Sequence, residues 1–261
     1  MERGSRSLGF EKGQETLELI AARTEGVTAL ELGDSLCSHR STVYRYLNVL
    51  VSKGYVGNKN GSYTLGPKVL ELASLYLERL DVREVAHPFL IELAEKLQVT
   101  VHLAQLAGPE ILYIDKVKTH RSLSLYSCVV RKAPVYCTGL GKALLAFTYS
   151  ERVQITLNQV SFKAYTRNTI TERKKLLEEL CAVIKKGYTV DREGHEEGIS
   201  CIAAPIFDFC NEPIAAISIT DLSRKILPNE TLYSKEVLRV AEAISNSLGR
   251  ASQEGGDKGK T

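Results

Sequence analysis

The chain of 261 residues contains no uninterrupted apolar run that approaches the length of a bilayer-spanning helix. Its first residues, Met-Glu-Arg-Gly-Ser-Arg, lack the apolar core of a secretory signal peptide. We therefore expect a cytoplasmic protein with no membrane partner. A chain of this length is long for a single hydrophobic core and long enough for two domains.

Paired cysteine spacings are also absent. No CxxC pair occurs, and several cysteines lie in apolar runs such as Ser200-Cys-Ile-Ala-Ala. The six cysteines are Cys37, Cys128, Cys137, Cys181, Cys201 and Cys210. This scatter is typical of reduced, buried cysteines and excludes a disulfide framework or a zinc site. Neither a phosphate-binding loop nor a nucleophile elbow occurs, so we expect no cofactor, no metal and no enzymatic activity.

Acidic residues are missing between Asp34 and Glu71, although acids and bases are mixed almost evenly elsewhere. The cations of this interval are Arg40, Arg45, Lys53, Lys59 and Lys68. A local positive face attracts a nucleic acid backbone because each neutralised phosphate releases condensed counterions. The formal net charge of +3 says less than this asymmetry does. The interval therefore predicts a DNA-binding module.

The hydrophobic pattern around this interval predicts three short helices and a hairpin. One helix runs from about Gln14 to Arg23, and a second begins at the capping residue Thr28. A third runs from its predicted cap Ser38 to about Lys53, and Asn60-Gly61 is a favoured hairpin turn. Together these elements form a winged helix-turn-helix.

The pattern further along the chain sets the predicted domain organisation. We expect a flexible N-terminus (1–12), the winged helix-turn-helix (13–66), a linker and dimerisation helix (67–82), a second domain (83–250) and a disordered tail (251–261). The linker helix is apolar around nearly its whole circumference, so it needs cover on several sides. A second subunit is the expected cover, and intradomain core is the alternative. Helices interleaved with hairpin-like strand pairs predict an α+β second domain with a mostly antiparallel sheet.

The order of these parts resembles the IclR family of bacterial transcriptional regulators over roughly residues 13–250. The stretches that carry the resemblance are Ser41-Thr-Val-Tyr-Arg-Tyr-Leu with Gly54-Tyr-Val, Tyr136-Cys-Thr-Gly-Leu-Gly-Lys-Ala-Leu-Leu-Ala, Thr166-Arg-Asn-Thr-Ile-Thr, and Asp191-Arg-Glu-Gly-His-Glu-Glu-Gly-Ile-Ser-Cys-Ile-Ala-Ala-Pro-Ile-Phe-Asp. Within the family the chain is similar to the sugar-acid branch, such as 2-keto-3-deoxygluconate regulators, through Ile111-Leu-Tyr-Ile-Asp-Lys-Val, Leu125-Tyr-Ser and residues 198–208. It departs from that branch at Gly194-His195 and at Cys128-Val-Val130.

The resemblance implies a repressor of a carbohydrate or sugar-acid operon, with a C-terminal GAF-like effector-binding domain. The second helix of the helix-turn-helix is expected in the major groove of double-stranded DNA. The predicted DNA-binding residues are His39, Arg40, Ser41, Thr42, Tyr44, Arg45 and Lys59. Whether the arginines contact bases or phosphates stays open.

A homodimer, which can pair into a tetramer, would read a near-palindromic operator. The alternative is a cationic winged helix used only for protein contacts.

The loop Thr138-Gly-Leu-Gly141, which opens a helix, suits an anion through its unpaired amides. Taken alone, an ordinary glycine-rich cap is the more frequent explanation. The family resemblance instead implies a pocket for a small organic or sugar-acid carboxylate. Its predicted effector-binding residues are Leu125, Gly139, Leu140, Asp191, Cys201, Ser218 and Thr220. An aromatic effector stays open.

A cysteine-dependent hydrolase or amidase fused to a winged helix is the alternative function. Cys201, His195 and Asp191 lie close in sequence, but such catalysis needs the thiolate and the imidazole within hydrogen-bond reach. A cysteine in an apolar strand is more often buried and inert, which favours the regulator. His102 and His87 occur singly among apolar residues, as core or helix-surface histidines do.

Overall fold

The structure is a computed structural model that describes residues 3–23, 25–77, 81–120 and 131–250. The chain divides into two compact units, residues 1–80 and 81–261. The elements of the first unit are α1 (Arg3–Ala21), β1 (Val27–Thr28), α2 (Ala29–Ser35), α3 (Arg40–Ser52), β2 (Val56–Lys59), β3 (Ser62–Leu65) and α4 (Pro67–Leu77). Helix, helix-turn-helix and hairpin follow one another as the sequence predicts.

The core of the first unit lies between α1, α2, α3 and a small sheet of strand order β1-β3-β2. The largest fully buried side chains of this core are Ile20, Leu32 and Leu47. A capping box begins α2: the Thr28 side chain accepts from the Glu31 amide, and the Glu31 carboxylate accepts from the Thr28 amide. Asn60 and Gly61 join β2 to β3 with φ of 55° and 85°. Positive φ at both positions is what a two-residue hairpin turn requires.

The N-terminal helix is longer than the sequence predicts. α1 begins at Arg3, so residues 3–12, expected as a flexible terminus, are helical. No proline interrupts this segment, and a helix whose C-terminal half is fixed by packing at Ile20 propagates at little further cost. The Thr16 hydroxyl donates to the Lys12 carbonyl at 2.6 Å, within the same helix.

The start of α3 also corrects the prediction. Its N-cap is His39, not Ser38, because the chain turns at Cys37 with φ of 48°. The Ser38 hydroxyl donates to the Leu36 carbonyl at 3.0 Å and is therefore used in the turn. His39 makes no side-chain cap hydrogen bond, so this helix start keeps amides without a protein side-chain acceptor.

Three leucines of α4 are exposed rather than buried in a core. Leu70, Leu72 and Leu75 are 71%, 43% and 47% exposed. The expected alternative, an intradomain core helix, is therefore wrong for these three residues. An exposed apolar helix face needs another cover, and the predicted dimer interface would supply one.

The second unit is an α+β unit, as predicted. Its helices are α5 (Val82–Leu97), α6 (Gly139–Phe147), α7 (Ser150–Asn158), α8 (Arg173–Lys186), α9 (Ser223–Ile226) and α10 (Glu230–Ser247). Its strands are β4 (Thr100–Ala107), β5 (Glu110–Val117), β6 (Lys132–Pro134), β7 (Thr189–Arg192), β8 (Ile199–Phe207) and β9 (Pro213–Leu222). They form one sheet of order β6-β5-β4-β9-β8-β7, antiparallel at every pairing. The sequence pattern of residues 122–127, Ser-Leu-Ser-Leu-Tyr-Ser, also predicts a strand, but these residues lie outside the described ones.

The sheet has a different helical layer on each face. α5 and α10 pack on one face, and α6 packs against β8, β9 and α8 on the other. Buried side chains of α6 and α8, such as Leu144, Leu176 and Leu180, join the second layer into one core. The N-terminal turn of α6 therefore lies over the middle of the sheet, where alternate strand residues face it.

Two glycine substitutions in the first unit are expected to change stability in opposite directions. A Cβ atom at Gly66 would overlap the Gly54 carbonyl oxygen, so we expect Gly66→Ala to lower the free energy of unfolding by about 1–3 kcal/mol. A Cβ atom at Gly13, inside α1, would meet nothing within 4 Å, so Gly13→Ala should raise it by about 0.5–1 kcal/mol. Urea-induced unfolding followed by circular dichroism measures both, and shifts of the same sign would contradict this packing.

Candidate functional site

The exposed face of α3 carries most of the predicted DNA-binding residues. His39, Arg40, Ser41, Tyr44 and Arg45 are exposed, and Thr42 is half-buried. On the opposite side of the same helix Val43 and Leu47 are completely buried. Lys59 is exposed at the end of β2, next to the hairpin turn. The helix thus presents polar and cationic side chains to solvent because its apolar stripe anchors it inward.

In the part of the chain that the structure describes, one acidic side chain, Glu71, pairs with a cation of the interval between Asp34 and Glu71. Within the described residues, Arg45, Lys53 and Lys59 form no ion pair, whereas Lys68 pairs with Glu71 at 2.7 Å. Arg40 donates to the Tyr44 hydroxyl at 3.2 Å, and its guanidinium carbon lies 5.5 Å from the centre of that ring. The surface therefore remains available to an external polyanion.

A second candidate site is a cavity of about 280 Å³ between the start of α6 and the sheet. The predicted effector-binding residues that line it are Gly139, Leu140, Asp191, Cys201, Ser218 and Thr220. These six residues come from α6, β7, β8 and β9. Leu125, the seventh, lies outside the described residues.

The strand register explains why these residues meet. Asp191 pairs with Cys201 across β7 and β8, and Cys201 pairs with Thr220 across β8 and β9. Directly paired residues lie on the same face of a sheet, and Ser218 precedes Thr220 by one strand period. Carboxylate, thiol and hydroxyl groups therefore share one face.

The glycines at the start of α6 permit a close approach to the sheet. A Cβ atom at Gly139 would lie 2.6 Å from Cys201 Sγ, and one at Gly141 would overlap the Val135 carbonyl oxygen. Thr138 caps the helix, and its hydroxyl accepts from the Gly141 amide at 3.2 Å. Gly139 is therefore more than an ordinary cap, since any side chain there would enter the cavity wall.

Asp191 is held by a lysine that the sequence-based reasoning missed. Lys142 Nζ lies 2.7 Å from Asp191 Oδ1 and 3.5 Å from Glu179 Oε1, and both Lys142 and Asp191 are buried. Burial by itself would lower the pKa of Lys142, but the charge and hydrogen bond of Asp191, with the charge of Glu179, raise it above its ordinary value. The signal available in the sequence was a single lysine among the apolar residues of α6.

Two histidines of the cavity wall were also missed as site residues. His102 is 3% exposed, and its Nδ1 lies 3.4 Å from the Thr220 hydroxyl. Burial, followed by the charges of Lys116 and Lys118, lowers the pKa of His102 to about 3. His195 stacks on Tyr165 with ring centres 5.0 Å apart, and burial lowers its pKa although Asp191 opposes the shift. Both imidazoles are therefore neutral near pH 7 and can donate or accept hydrogen bonds.

The thiol of Cys201 is not an activated nucleophile. Burial and the negative charge of Asp191 raise the pKa of Cys201 to about 12, against weaker lowering by Lys142. Cys137 is raised to a pKa of about 12 for the same reasons. The thiolate, which is the reactive form, is therefore scarce near neutral pH.

Two family models match the chain. "Bacterial transcriptional regulator IclR C-terminal" matches residues 74–246, and "IclR helix-turn-helix domain" matches residues 11–59. The chain belongs to the IclR family of bacterial transcriptional regulators. The predicted family is confirmed, and the matches cover both units.

Relatives and solved structures agree with this IclR assignment. "HTH-type transcriptional regulator KdgR" of Dickeya chrysanthemi is 38% identical over 230 residues, which cover 87% of this chain and 75% of the relative. The regulator of the same name in Escherichia coli K12 is 37% identical over 200 residues, 76% of this chain and 75% of the relative. The crystal structure of Thermotoga maritima IclR is 36% identical, with a TM-score of 0.63 and coverage of 92% and 98%. The predicted similarity to KdgR-type regulators is thereby supported.

This IclR-family chain is a DNA-binding transcriptional regulator and not an enzyme, since the family and its relatives are regulators. The helix-turn-helix unit is the part that binds DNA, and the C-terminal unit is the ligand-responsive part. In the parts of the chain that the structure describes, no helix is long and apolar enough to cross a membrane. No group of three or more His, Cys, Asp or Glu side chains in those parts could hold a metal ion.

Arg45→Ala is expected to weaken DNA binding without disturbing the second unit. If Arg45 contacts a base, the binding free energy should weaken by about 1–3 kcal/mol for the operator sequence that carries this base. If it contacts a phosphate, binding should weaken equally for all DNA sequences, and the slope of log affinity against log salt concentration should become smaller by about one. Fluorescence anisotropy with labelled operator DNA at several salt concentrations measures both. Arg152→Ala, which removes one exposed cation paired with Glu212 in the second unit, is the control. If Arg45→Ala binds DNA with wild-type affinity and wild-type salt dependence, Arg45 is not part of the DNA interface.

Stability is expected to fall in acid because of His102. Its pKa is lowered from 6.5 to about 3 in the folded chain, whereas in the unfolded chain it takes up a proton below pH 6.5. The free energy of unfolding is therefore unaffected by this group above pH 6.5 and falls as the pH decreases below that value. At pH 5 the loss should amount to about 2 kcal/mol relative to pH 7. Thermal unfolding of wild type and His102→Gln between pH 7 and pH 5 measures it, with the exposed His39→Gln as control. Equal pH slopes in wild type and His102→Gln would contradict this assignment.

Proposed function

We propose that the chain is a repressor of a carbohydrate or sugar-acid catabolic operon and that a small hydroxylated carboxylate controls its DNA binding. The cavity beside the α6 N-terminus is the observation that carries this proposal. It joins an ionisable carboxylate, two strand hydroxyls and the positive end of a helix within one site.

The lining of the cavity suits a polar acid better than a lipid or an aromatic compound. Ser218, Thr220 and the neutral His102 can each donate or accept hydrogen bonds. Arg131 and Lys132 line the cavity at β6, and Lys132 lies 3.9 Å from Glu110. A carboxylate is stabilised by cations and helix N-termini, and sugar hydroxyls match the remaining polar groups.

The names of the relatives favour repression and the sugar-acid branch. Two relatives are named KdgR, and they are 38% and 37% identical to this chain. "Transcriptional repressor IclR" of Escherichia coli K12 is 31% identical over 243 residues, and "DNA-binding transcriptional repressor YiaJ" of the same organism is 31% identical over 254 residues. The names of these two relatives therefore favour repression as the function of this chain.

On the DNA side, α3 would lie in the major groove with Arg40 and Arg45 toward the bases or phosphates. His39, Ser41, Thr42 and Tyr44 would contribute at its N-terminal end, and Lys59 would reach the backbone beside the wing. The exposed apolar face of α4 would pair with a second copy, so that residues 13–66 of two chains read a near-palindromic operator. Residues 67–82 would link them to the effector domain, residues 83–250.

The effector can act only through a difference in its affinity for two arrangements of the dimer. In the proposed repressor, the DNA-binding arrangement would prevail without effector. Binding in the cavity would favour the other arrangement and change the spacing of the two wings. The effector would thereby release the operator.

A release experiment tests this function. Operator DNA is selected from genomic fragments with the purified chain, and binding is followed by gel shift while 2-keto-3-deoxygluconate, D-gluconate or D-galacturonate is added. Release by at least one sugar acid, but not by the parent neutral sugar, is expected. Binding that responds to none of them would contradict the sugar-acid proposal, and retention of DNA that is insensitive to salt would contradict the DNA interface.

Thr220→Val should uncouple ligand response from DNA binding. The substitution is isosteric and removes one hydroxyl from the cavity, so affinity for the releasing acid should fall roughly fivefold to tenfold. Operator affinity without the acid should not change. Thr189→Val is the matched control, because Thr189 lies on the same sheet face, outside this cavity, and its buried hydroxyl has no partner among the described residues. Equal effects of the two substitutions on release would exclude a specific role for Thr220.

A further inference from the structure

A buried lysine stands behind the wall of the effector cavity. Lys142, in the first turn of α6, is 4% exposed, and its Nζ lies 2.7 Å from Asp191 Oδ1. Asp191 lines the effector cavity, but Lys142 does not: it lines a separate cavity of about 390 Å³ on the other side of the same carboxylate. The hydrogen bond of Lys142 to the lining of the effector cavity is therefore the one to Asp191.

The other oxygen of Asp191 is held by a loop. The Gly194 amide donates to Asp191 Oδ2 at 3.0 Å, and a Cβ atom at Gly194 would lie only 2.6 Å from Oδ1. The Thr169 hydroxyl donates to the Gly194 carbonyl at 2.7 Å, which fixes the loop in place. One donor on each oxygen fixes the orientation of the carboxylate and leaves acceptor capacity on both oxygens.

The side chains around this carboxylate include one cation, Lys142, and one further carboxylate, Glu179. The titratable groups that face Asp191 or its lysine partner are Lys142, Glu179, Cys137, Cys201, Tyr113 and His195. Burial raises the pKa of the two thiols and of the phenol and lowers the pKa of His195, so these four groups are neutral near pH 7. Among the six, Lys142 is the one positive charge, and at 2.7 Å it offsets the cost of burying the Asp191 carboxylate.

We propose that Lys142 is a positioning residue of the effector cavity, which holds Asp191 ionised and oriented so that it meets a hydrogen-bond donor of the bound acid. This inference rests on the proposed effector site. An ionised carboxylate only accepts hydrogen bonds, and it repels a second carboxylate at close range. The effector therefore presents a hydroxyl to Asp191 and places its own carboxylate elsewhere in the cavity. Acids without a hydroxyl at that position bind more weakly in the cavity.

The first test needs no ligand. In Lys142→Met the buried Asp191 carboxylate loses its cation, and a buried charge without a partner is costly. Acid removes this cost because it neutralises the carboxyl group, so the destabilisation should grow as the pH rises. The melting temperature of Lys142→Met relative to wild type should therefore fall between pH 4 and pH 8. Lys142→Met/Asp191→Asn, with no charge at either position, should show no such slope. A difference between Lys142→Met and wild type that does not change with pH would overturn the proposal.

The second test measures binding of 2-keto-3-deoxygluconate by calorimetry. We expect Lys142→Met to weaken this binding by roughly tenfold to a hundredfold at pH 7.5, and Lys142→Arg to recover most of it. Lys225→Met is the matched control, since Lys225 Nζ lies 2.8 Å from the buried Asp221 carboxylate and neither residue lines the cavity. It should lower stability and leave the affinity unchanged. Equal losses of affinity in the two Met variants would indicate a merely structural role and overturn the proposal.

The two tests separate this inference from the proposed function. If 2-keto-3-deoxygluconate binds neither wild type nor any variant, the choice of this acid as effector is wrong. The ligand-free pH slope then decides by itself whether Lys142 holds Asp191 ionised. If the acid binds wild type and Lys142→Met equally, the proposed function stands and the role of Lys142 is refuted.

Discussion

The proposed effector site depends on how closely the first turn of α6 approaches the sheet. Gly139 faces the Cys201 thiol and Gly141 faces the Val135 carbonyl, and neither place has room for a Cβ atom. Because the backbone comes so near, the helix N-terminus lies at the cavity and Lys142 reaches Asp191 across the same contact. The cavity wall, the buried ion pair and the position of the helix N-terminus thus all depend on the close approach that these two glycines permit.

The DNA-binding face depends on a different balance. α3 is anchored by the completely buried Val43 and Leu47, while its outer face carries Arg40 and Arg45, which lie in a stretch of the sequence without acidic residues. An acid-free interval destabilises the isolated chain slightly through repulsion, and a polyanion relieves that repulsion. The same helix is therefore both part of the core and the element proposed to contact DNA.

Much of this organisation could be predicted because it is local. The capping box at Thr28 and Glu31, the Asn60-Gly61 hairpin turn and most strands of the second unit follow from propensity and periodicity over a few residues. The family resemblance added the six described lining residues, which no local pattern would have brought together. The cap at Ser38 was wrong because the turn at Cys37 uses that hydroxyl, and α1 was predicted too short because helix propagation depends on packing of its other end.

By itself the sequence determined the winged helix-turn-helix, the antiparallel α+β class and the uneven charge of the first unit, since each depends on neighbours along the chain. Only the tertiary structure decided that Lys142 is the partner of Asp191, 49 positions away, and that His102 belongs to the cavity wall. A lone lysine or histidine in an apolar run has the same sequence signal whether it is paired, buried or exposed. Burial and charge pairing are set by strand register and helix packing, and these join residues that are remote in sequence.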